Sequence, residues 1–459
     1  MASFNFSLDP VDVPQVKTAN RRIKTAIPAP GTRELLDRLA KCESRSMHGQ
    51  LPLAWAKADD FNVYDHCDNK WIDFTSTIFV SNIGHSNSRL ISYLKKALSN
   101  PLISCYSYPN SIRADYIERL LEFAGPNFTK AFLLSAGTEA TEAVLKLMRM
   151  HGQKLGKKNS GIICLSGNWH GRTLGAQMLC GNDQQKEWIG YQDPNIHHIP
   201  FPYPWHLDNT TPEQFLEDSL NSLAKAGIKL STDICGIVLE TFQGWGSLFY
   251  PTEYVQKIRE LCDQNNILLA FDEMQSGFGR TGKNFGYEHY DVTPDLIACG
   301  KGMGGGIAIS GVLGPAEILD LPTIGNMSST HSANPIACAA GMAVLDELRD
   351  RDLVNESHRK GIYLLSRLEE IKNMFPDRIS SFHGKGLIAA VLFKDTKSQE
   401  PDPYFTSKVA ELCMQRGLLV VHTGRESIKI GPPLTITDDA LKEGLDVLEE
   451  SIRETVSIC

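Results

Sequence analysis

The residues of this 459-residue chain that could do chemistry gather at four places, each just after a short apolar run. Cys299-Gly300-Lys301-Gly302 sets a lone lysine between glycines. Such a lysine suits Schiff-base chemistry, because desolvation lowers its pKa and frees the amine to attack a carbonyl. Phe271-Asp272-Glu273-Met274-Gln275 ends an apolar run in two carboxylates, which are costly there unless solvated, paired or used. One of these two acids could hold a proton on a heterocyclic nitrogen, with Gln275 reaching another polar substituent. Asn168-Trp169-His170-Gly171-Arg172-Thr173 offers an aromatic that could stack on a planar ring. Ser135-Ala136-Gly137-Thr138-Glu139 offers small residues and the first N–H groups of a helix, a place for a phosphate. Each also has a plainer reading: a surface-loop lysine, a solvated strand end, a core aromatic and an ordinary helix cap.

The elements that must position these residues follow from the apolar pattern. Runs at Ala131–Leu134, Ile162–Leu165, Gly236–Leu239, Ile267–Phe271 and Leu296–Cys299 alternate with helical patterns such as Glu142–His151 and Glu253–Gln264. Strands without polar alternation are buried on both faces, as in a largely parallel sheet wrapped by helices. The centre of the chain is therefore read as α/β, with ligands expected outside the carboxyl ends of the strands. Helical patterns at Ile336–Arg349 and Ser357–Phe375, then mixed elements, predict a smaller C-terminal α+β domain. The boundaries expected are an N-terminal segment over 1–70 packing on the small domain, a large domain over 71–335 and a small one over 336–459.

Composition excludes several classes. With 42% hydrophobic and 22% charged residues the chain is an ordinary globular protein. Its net charge of −8, with no long basic cluster, gives no support to nucleic-acid binding. Asp9 and Asp12 interrupt the N-terminus, so no secretory signal is read there. The longest uncharged apolar-looking run, Gly302–Ala316, is glycine-rich and shorter than a membrane span. Eleven irregularly spaced cysteines without a CxxC read as reduced thiols in a cytoplasmic enzyme. No HExxH, GxSxG or P-loop signature is present, nor a Rossmann GxGxxG opening a helix after a strand with an acid about 20 residues later, and no metal is expected. His197-His198 is read as structural or surface.

Taken together and in order, the motifs resemble the class III (ω-amino acid type) aminotransferases, pyridoxal-phosphate enzymes of fold type I. The likeness runs from about Asp73 (DFTSTIFVSNIGH) to Leu434 (IKIGPPLT), and is most specific in DEMQSGFGRTGKNFG, PDLIACGKGMGGG and STHSANPIACAAGMAVL. The resemblance implies a large, mostly parallel-sheet cofactor domain and a smaller C-terminal one. It implies that Lys301, 29 residues after Asp272, binds the cofactor as a Schiff base and moves the substrate proton. Asp272 would pair with the pyridinium nitrogen, Gln275 approach the phenolic oxygen and Trp169 stack on the ring. Ser135, Gly137 and Thr138 would bind the phosphate, joined by Thr330 from a neighbouring subunit, so a homodimer or dimer of dimers is implied.

Substrate contacts are read at Phe79, Trp245 and Lys429. Many relatives carry EPxQGEGG, whose second Glu pairs with an Arg to admit dicarboxylates. Here that segment is Glu240-Thr241-Phe242-Gln243-Gly244-Trp245-Gly246, and Lys429 stands where the Arg is usual. Lysine lacks the bidentate fork for a carboxylate but can meet an anion as a point charge. The expected activity is amino transfer between a primary amine and an oxo compound. The alternative is a lyase of the same family, eliminating a β-substituent and releasing ammonia from an amino-phosphate, amino-phosphonate or amino-alcohol.

Overall fold

The computed structural model describes residues 4–100 and 102–459. The chain forms two compact units, each built from separated stretches. One takes residues through Ser88, Trp245–Ser247 and Asn355–Cys459; the other takes Arg89–Gly244 and Leu248–Val354.

The second unit is built on a seven-stranded sheet, in the order Lys130–Leu134, Ser310–Gly314, Leu296–Cys299, Leu268–Asp272, Ile234–Glu240, Gly161–Leu165, Ile196–Ile199. All five apolar runs of the sequence are strands of this sheet. Neighbouring strands pair parallel except where Ser310–Gly314 meets Leu296–Cys299 and Lys130–Leu134. That antiparallel strand, Ser-Gly-Val-Leu-Gly, has too little apolar character to announce itself. Its glycines suit the crowding there: a Cβ on Gly314 would lie 2.5 Å from Leu296 and 2.6 Å from Leu319. The strand Ile196–Ile199 carries His197 and His198 at the sheet edge. Burial lowers the His198 pKa to about 4, so it stays neutral as a structural residue.

Helices cover the sheet as the periodicity predicts. Gly137–Lys154 and Thr252–Asn265 contain the expected stretches, and the first begins directly after the Ser135-Ala136 turn. Leu147, Ile162, Cys164, Val238, Ala270, Ala298 and Val312 form a continuous core between helix and sheet. Helix Pro335–Asp350 packs on Ser111–Ala124, where Gly341 leaves room for the buried Tyr116 ring, 2.4 Å from where a Cβ would stand.

The first unit holds an antiparallel sheet ordered Ile379–Lys385, Ile388–Phe393, Ser427–Ile430, Val421–His422. A second small sheet of short strands surrounds Trp71, whose indole N–H donates to Met414 O at 2.7 Å. Helix Leu353–Met374 presses Gly361 against the backbone of Gly386; an added Cβ would meet that carbonyl oxygen at 2.4 Å. Gly361→Ala therefore runs against helix propensity, which alone favours Ala by about 1 kcal/mol. The overlap with rigid backbone should turn this into a net loss of about 1–3 kcal/mol, read as a lowered unfolding midpoint in denaturant. Among the described residues, no helix is long and apolar enough to cross a membrane, and no group of three or more His, Cys, Asp or Glu is placed to hold a metal ion.

Candidate active site

The carboxyl ends of the parallel strands in the second unit surround one cavity, lined by Gly137, Thr138, Trp169, His170, Gly171, Glu240, Asp272, Met274, Gln275 and Lys301, among others. Six of the residues singled out in the sequence, Gly137, Thr138, Trp169, Asp272, Gln275 and Lys301, are brought together here.

Asp272 is the last residue of its strand and is 6% exposed. Its Oδ2 accepts from His170 Nδ1 at 2.9 Å, and Oδ1 accepts the Met274 N–H at 3.1 Å. Facing a carboxylate, the imidazole carries its proton on Nδ1; its buried Nε2 has no hydrogen-bond partner among the described residues. Glu273 points elsewhere. It is fully buried and accepts from Thr241 Oγ1 (2.8 Å), Ser276 Oγ (2.5 Å), Gly286 N (2.8 Å) and Tyr287 N (2.7 Å). The two carboxylates at one strand end thus divide: Asp272 faces the cavity and Glu273 clamps the returning glycine-rich loop. Burial raises the Glu273 pKa, and its four donors oppose that rise.

Lys301 opens the turn after Leu296–Cys299 with φ 45°, a left-handed conformation costly for a side-chain-bearing residue. Lys301 is half-buried and lines the cavity. Desolvation lowers its pKa, while Asp272 and Glu240 pull it back up. Met274 fills the space beside the turn, and its sulfur would lie 2.8 Å from a Cβ on either Gly137 or Gly300. Both glycines are there for that close approach.

Helix Gly137–Lys154 begins at the cavity wall. Glu139 takes the N–H groups of Ser135 (2.9 Å) and Ala136 (2.8 Å). The N–H groups of Gly137 and Thr138 have no intrahelical acceptor, and the helix dipole makes this end positive. Thr138 Oγ1 lies 2.6 Å from Thr173 Oγ1, which donates to Glu142. Ser135 itself does not line the cavity, and Thr330 is exposed and outside it. The Trp169 ring lines the wall, with the Arg172 guanidinium 4.6 Å from its centroid.

Phe79, Trp245 and Lys429 belong to the first unit. Phe79 closes four consecutive left-handed residues, Ser76 to Phe79, with φ from 47° to 67°. Such a run costs roughly 1–2 kcal/mol per residue and needs firm anchoring. Ser76 Oγ donates to Gly431 O (2.6 Å), and Thr75 Oγ1 accepts from Thr77 N (3.1 Å). Asp73 accepts from Thr75 N (2.7 Å) and faces His85 Nε2 (2.7 Å). The turn lays the Phe79 ring against Gly431 and 4.4 Å below Lys429 Nζ. Trp245 also meets a cation: the Arg425 guanidinium lies 3.8 Å from its ring centroid.

The cavity's donor set suits pyridoxal phosphate: an amine, a histidine-supported carboxylate, an aromatic wall and a helix N-terminus with orphaned N–H groups. The description "Aminotransferase class-III" matches residues 44–452, nearly the whole chain. The protein belongs to the class III aminotransferases. This aminotransferase is 32% identical over 419 residues to a probable 4-aminobutyrate aminotransferase of Bacillus subtilis, covering 88% of this chain and 94% of that one. It is 30% identical over 412 residues to an acetylornithine aminotransferase of Caldanaerobacter subterraneus, covering 89% and 96%. In fold it superposes on a transaminase from the marine bacterium Virgibacillus with TM-score 0.83 at 24% identity, over 92% of this chain and 99% of that one. The α/β reading with a mostly parallel sheet stands, and pyridoxal phosphate is the cofactor of this aminotransferase.

Among the cavity residues to which sequence reasoning gave no role are two titratable ones, His170 and Glu240. His170 sits inside the Trp-His-Gly-Arg segment, and Glu240 ends an apolar run. The rule of inspecting strand ends points to both.

Proposed function

We propose that the protein transfers an amino group from a primary amine to an oxo compound in two half-reactions, with Lys301 as the acid–base group. The observation that carries this reading is that Lys301 and Asp272 line the same cavity at the strand ends. Bound there, pyridoxal phosphate supplies an aldehyde carbon to carry the nitrogen and an electron-poor ring to accept the electron pair of the broken C–H bond.

The residues divide the remaining work. Desolvation raises the share of neutral Lys301, so its amine can take a proton from the substrate carbon and return it to the cofactor side. Asp272, held by His170, keeps a proton on the ring nitrogen. Trp169 covers a ring face and Gln275 sits at the phenolic oxygen. The helix start at Gly137 and Thr138 holds the phosphate, and Ser135, outside the cavity lining with its N–H bonded to Glu139, does not reach it. Thr330, exposed and outside its own cavity, reaches the phosphate of a neighbouring copy, which makes the protein a homodimer or dimer of dimers. Phe79, Trp245 and Lys429 contact the substrate, in a cytoplasmic enzyme. With Trp245 and Lys429 in place of a Glu–Arg pair, Lys429 meets the acceptor's anionic group as a point charge, without the Glu–Arg switch that admits dicarboxylates.

The test is to give the holoenzyme an amine and no oxo acceptor. One equivalent of carbonyl product per active site is expected, with the cofactor left holding the amino group and turnover resuming on addition of an oxo acid. Continuous release of ammonia would overturn amino transfer in favour of elimination.

A further inference from the structure

Glu240 ends the strand Ile234–Glu240, and its two oxygens are in different situations. Oε2 accepts two backbone N–H groups, from Trp169 at 2.9 Å and Gly244 at 3.3 Å. Oε1 accepts from Gln275 Nε2 at 3.2 Å. The pair is walled in: a Cβ on Gly244 would stand 2.3 Å from Gln275 Nε2 and 2.8 Å from Glu240 Oε1.

This asymmetry decides where a proton can go. Backbone N–H groups only donate, so a hydrogen on Oε2 would face two others. A neutral Glu240 therefore carries its hydrogen on Oε1, toward Gln275. An ionised carboxylate only accepts, which requires the amide to present Nε2, as it does here. A neutral carboxyl donates, which requires the amide to present its Oε1 instead. We propose that Glu240 is a proton-switched positioning residue: ionised, it holds Gln275 with Nε2 toward itself, and neutral, it turns the amide so that Nε2 faces the opposite way.

Glu240 lies within the electrostatic reach of Asp272, His170, Lys301, Cys180 and Tyr250. Enclosure raises its pKa to about 7, with Asp272 adding to the rise and His170 and the two backbone N–H groups opposing it. Both amide orientations are thus reached near neutral pH. The inference rests on the placement of Gln275 beside the cofactor's phenolic oxygen. Given that placement, the switch changes Gln275 from acceptor to donor toward that oxygen as pH falls.

The experiment is a pH titration of the holoenzyme's visible absorbance without substrate, beside two variants. The wild type should inflect near pH 7. Glu240→Gln keeps an oxygen for the two backbone N–H groups and donates permanently to Gln275. Its spectrum should lose that inflection and match the acid limb of the wild type. An inflection retained in Glu240→Gln overturns the switch. Gln275→Leu should displace the spectrum and also abolish the inflection. A wild-type spectrum in Gln275→Leu would reject the Gln275 placement itself, whereas a displaced spectrum beside a surviving inflection in Glu240→Gln rejects the switch alone. Infrared titration of cofactor-free wild type keeps the test open if Glu240→Gln does not fold. A carboxylic C=O band growing in as pH falls through neutrality supports the switch, and its absence overturns it.

Discussion

Lys301→Ala is expected to lower turnover by about 10⁴-fold or more, the upper range for a positioned proton-transfer group. That is about 5.5 kcal/mol of transition-state stabilisation. The reason is geometric: among the residues lining the cavity, no other carries an amine. Asp272 is held by His170 and Met274 N–H, and Glu240 by Trp169, Gly244 and Gln275, so neither can move into the lysine's place. The variant should also lose the visible absorbance of a lysine-linked cofactor. Absorbance and rate that both survive in Lys301→Ala would sink the assignment. Because the Lys301 pKa is lowered from its solution value, chiefly by desolvation, the wild-type rate should rise with pH through a range below that of a free lysine.

Glu273→Ala is expected to be the most destabilising single substitution near the site. It leaves Thr241 Oγ1, Ser276 Oγ, Gly286 N and Tyr287 N without their acceptor inside the protein. Each buried unsatisfied group costs about 1–3 kcal/mol, less what relaxation recovers. A net loss of about 3–5 kcal/mol follows for the four uncharged donors left behind. For a unit of this size that lowers the unfolding midpoint by roughly 10 °C. Thermal melts of the cofactor-free protein measure it without reference to activity. A midpoint within about 2 °C of wild type would show that Glu273 is not the clamp of the returning loop.

The difference between Asp272 and Glu273 shows how far the sequence could be read. Adjacent residues at the end of a strand point to opposite faces, so one of the two had to face the ligand and the other had to be satisfied elsewhere. The choice of Asp272 came from the family's motif, whereas the partners of Glu273, at Gly286 and Tyr287, lie across a loop that no local pattern connects. The antiparallel strand Ser310–Gly314 was illegible for another reason. Its glycines are required by Leu296 and Leu319, which are close only once the sheet has formed.

Local physics determined much of this protein without reference to tertiary structure. Five apolar runs had to become buried strands because they lack polar alternation, and the chemically pointed residues had to lie at their carboxyl ends. The types of those residues, a lysine between glycines, an acid after a buried strand and small residues before a helix, are compatible with Schiff-base chemistry, and their order along the chain, through its resemblance to the class III family, named the cofactor. Tertiary structure alone decided the pairings between elements distant in the chain. His170 meets Asp272, and Glu240 meets Gln275, because strand order places Ile234–Glu240 between Gly161–Leu165 and Leu268–Asp272. The left-handed turn that sets Phe79 beneath Lys429 is likewise unfavourable in isolation, and persists because Gly431, Asp73 and His85 hold it from far along the chain and near. Periodicity encodes burial, whereas side-chain pairing depends on which strands become neighbours.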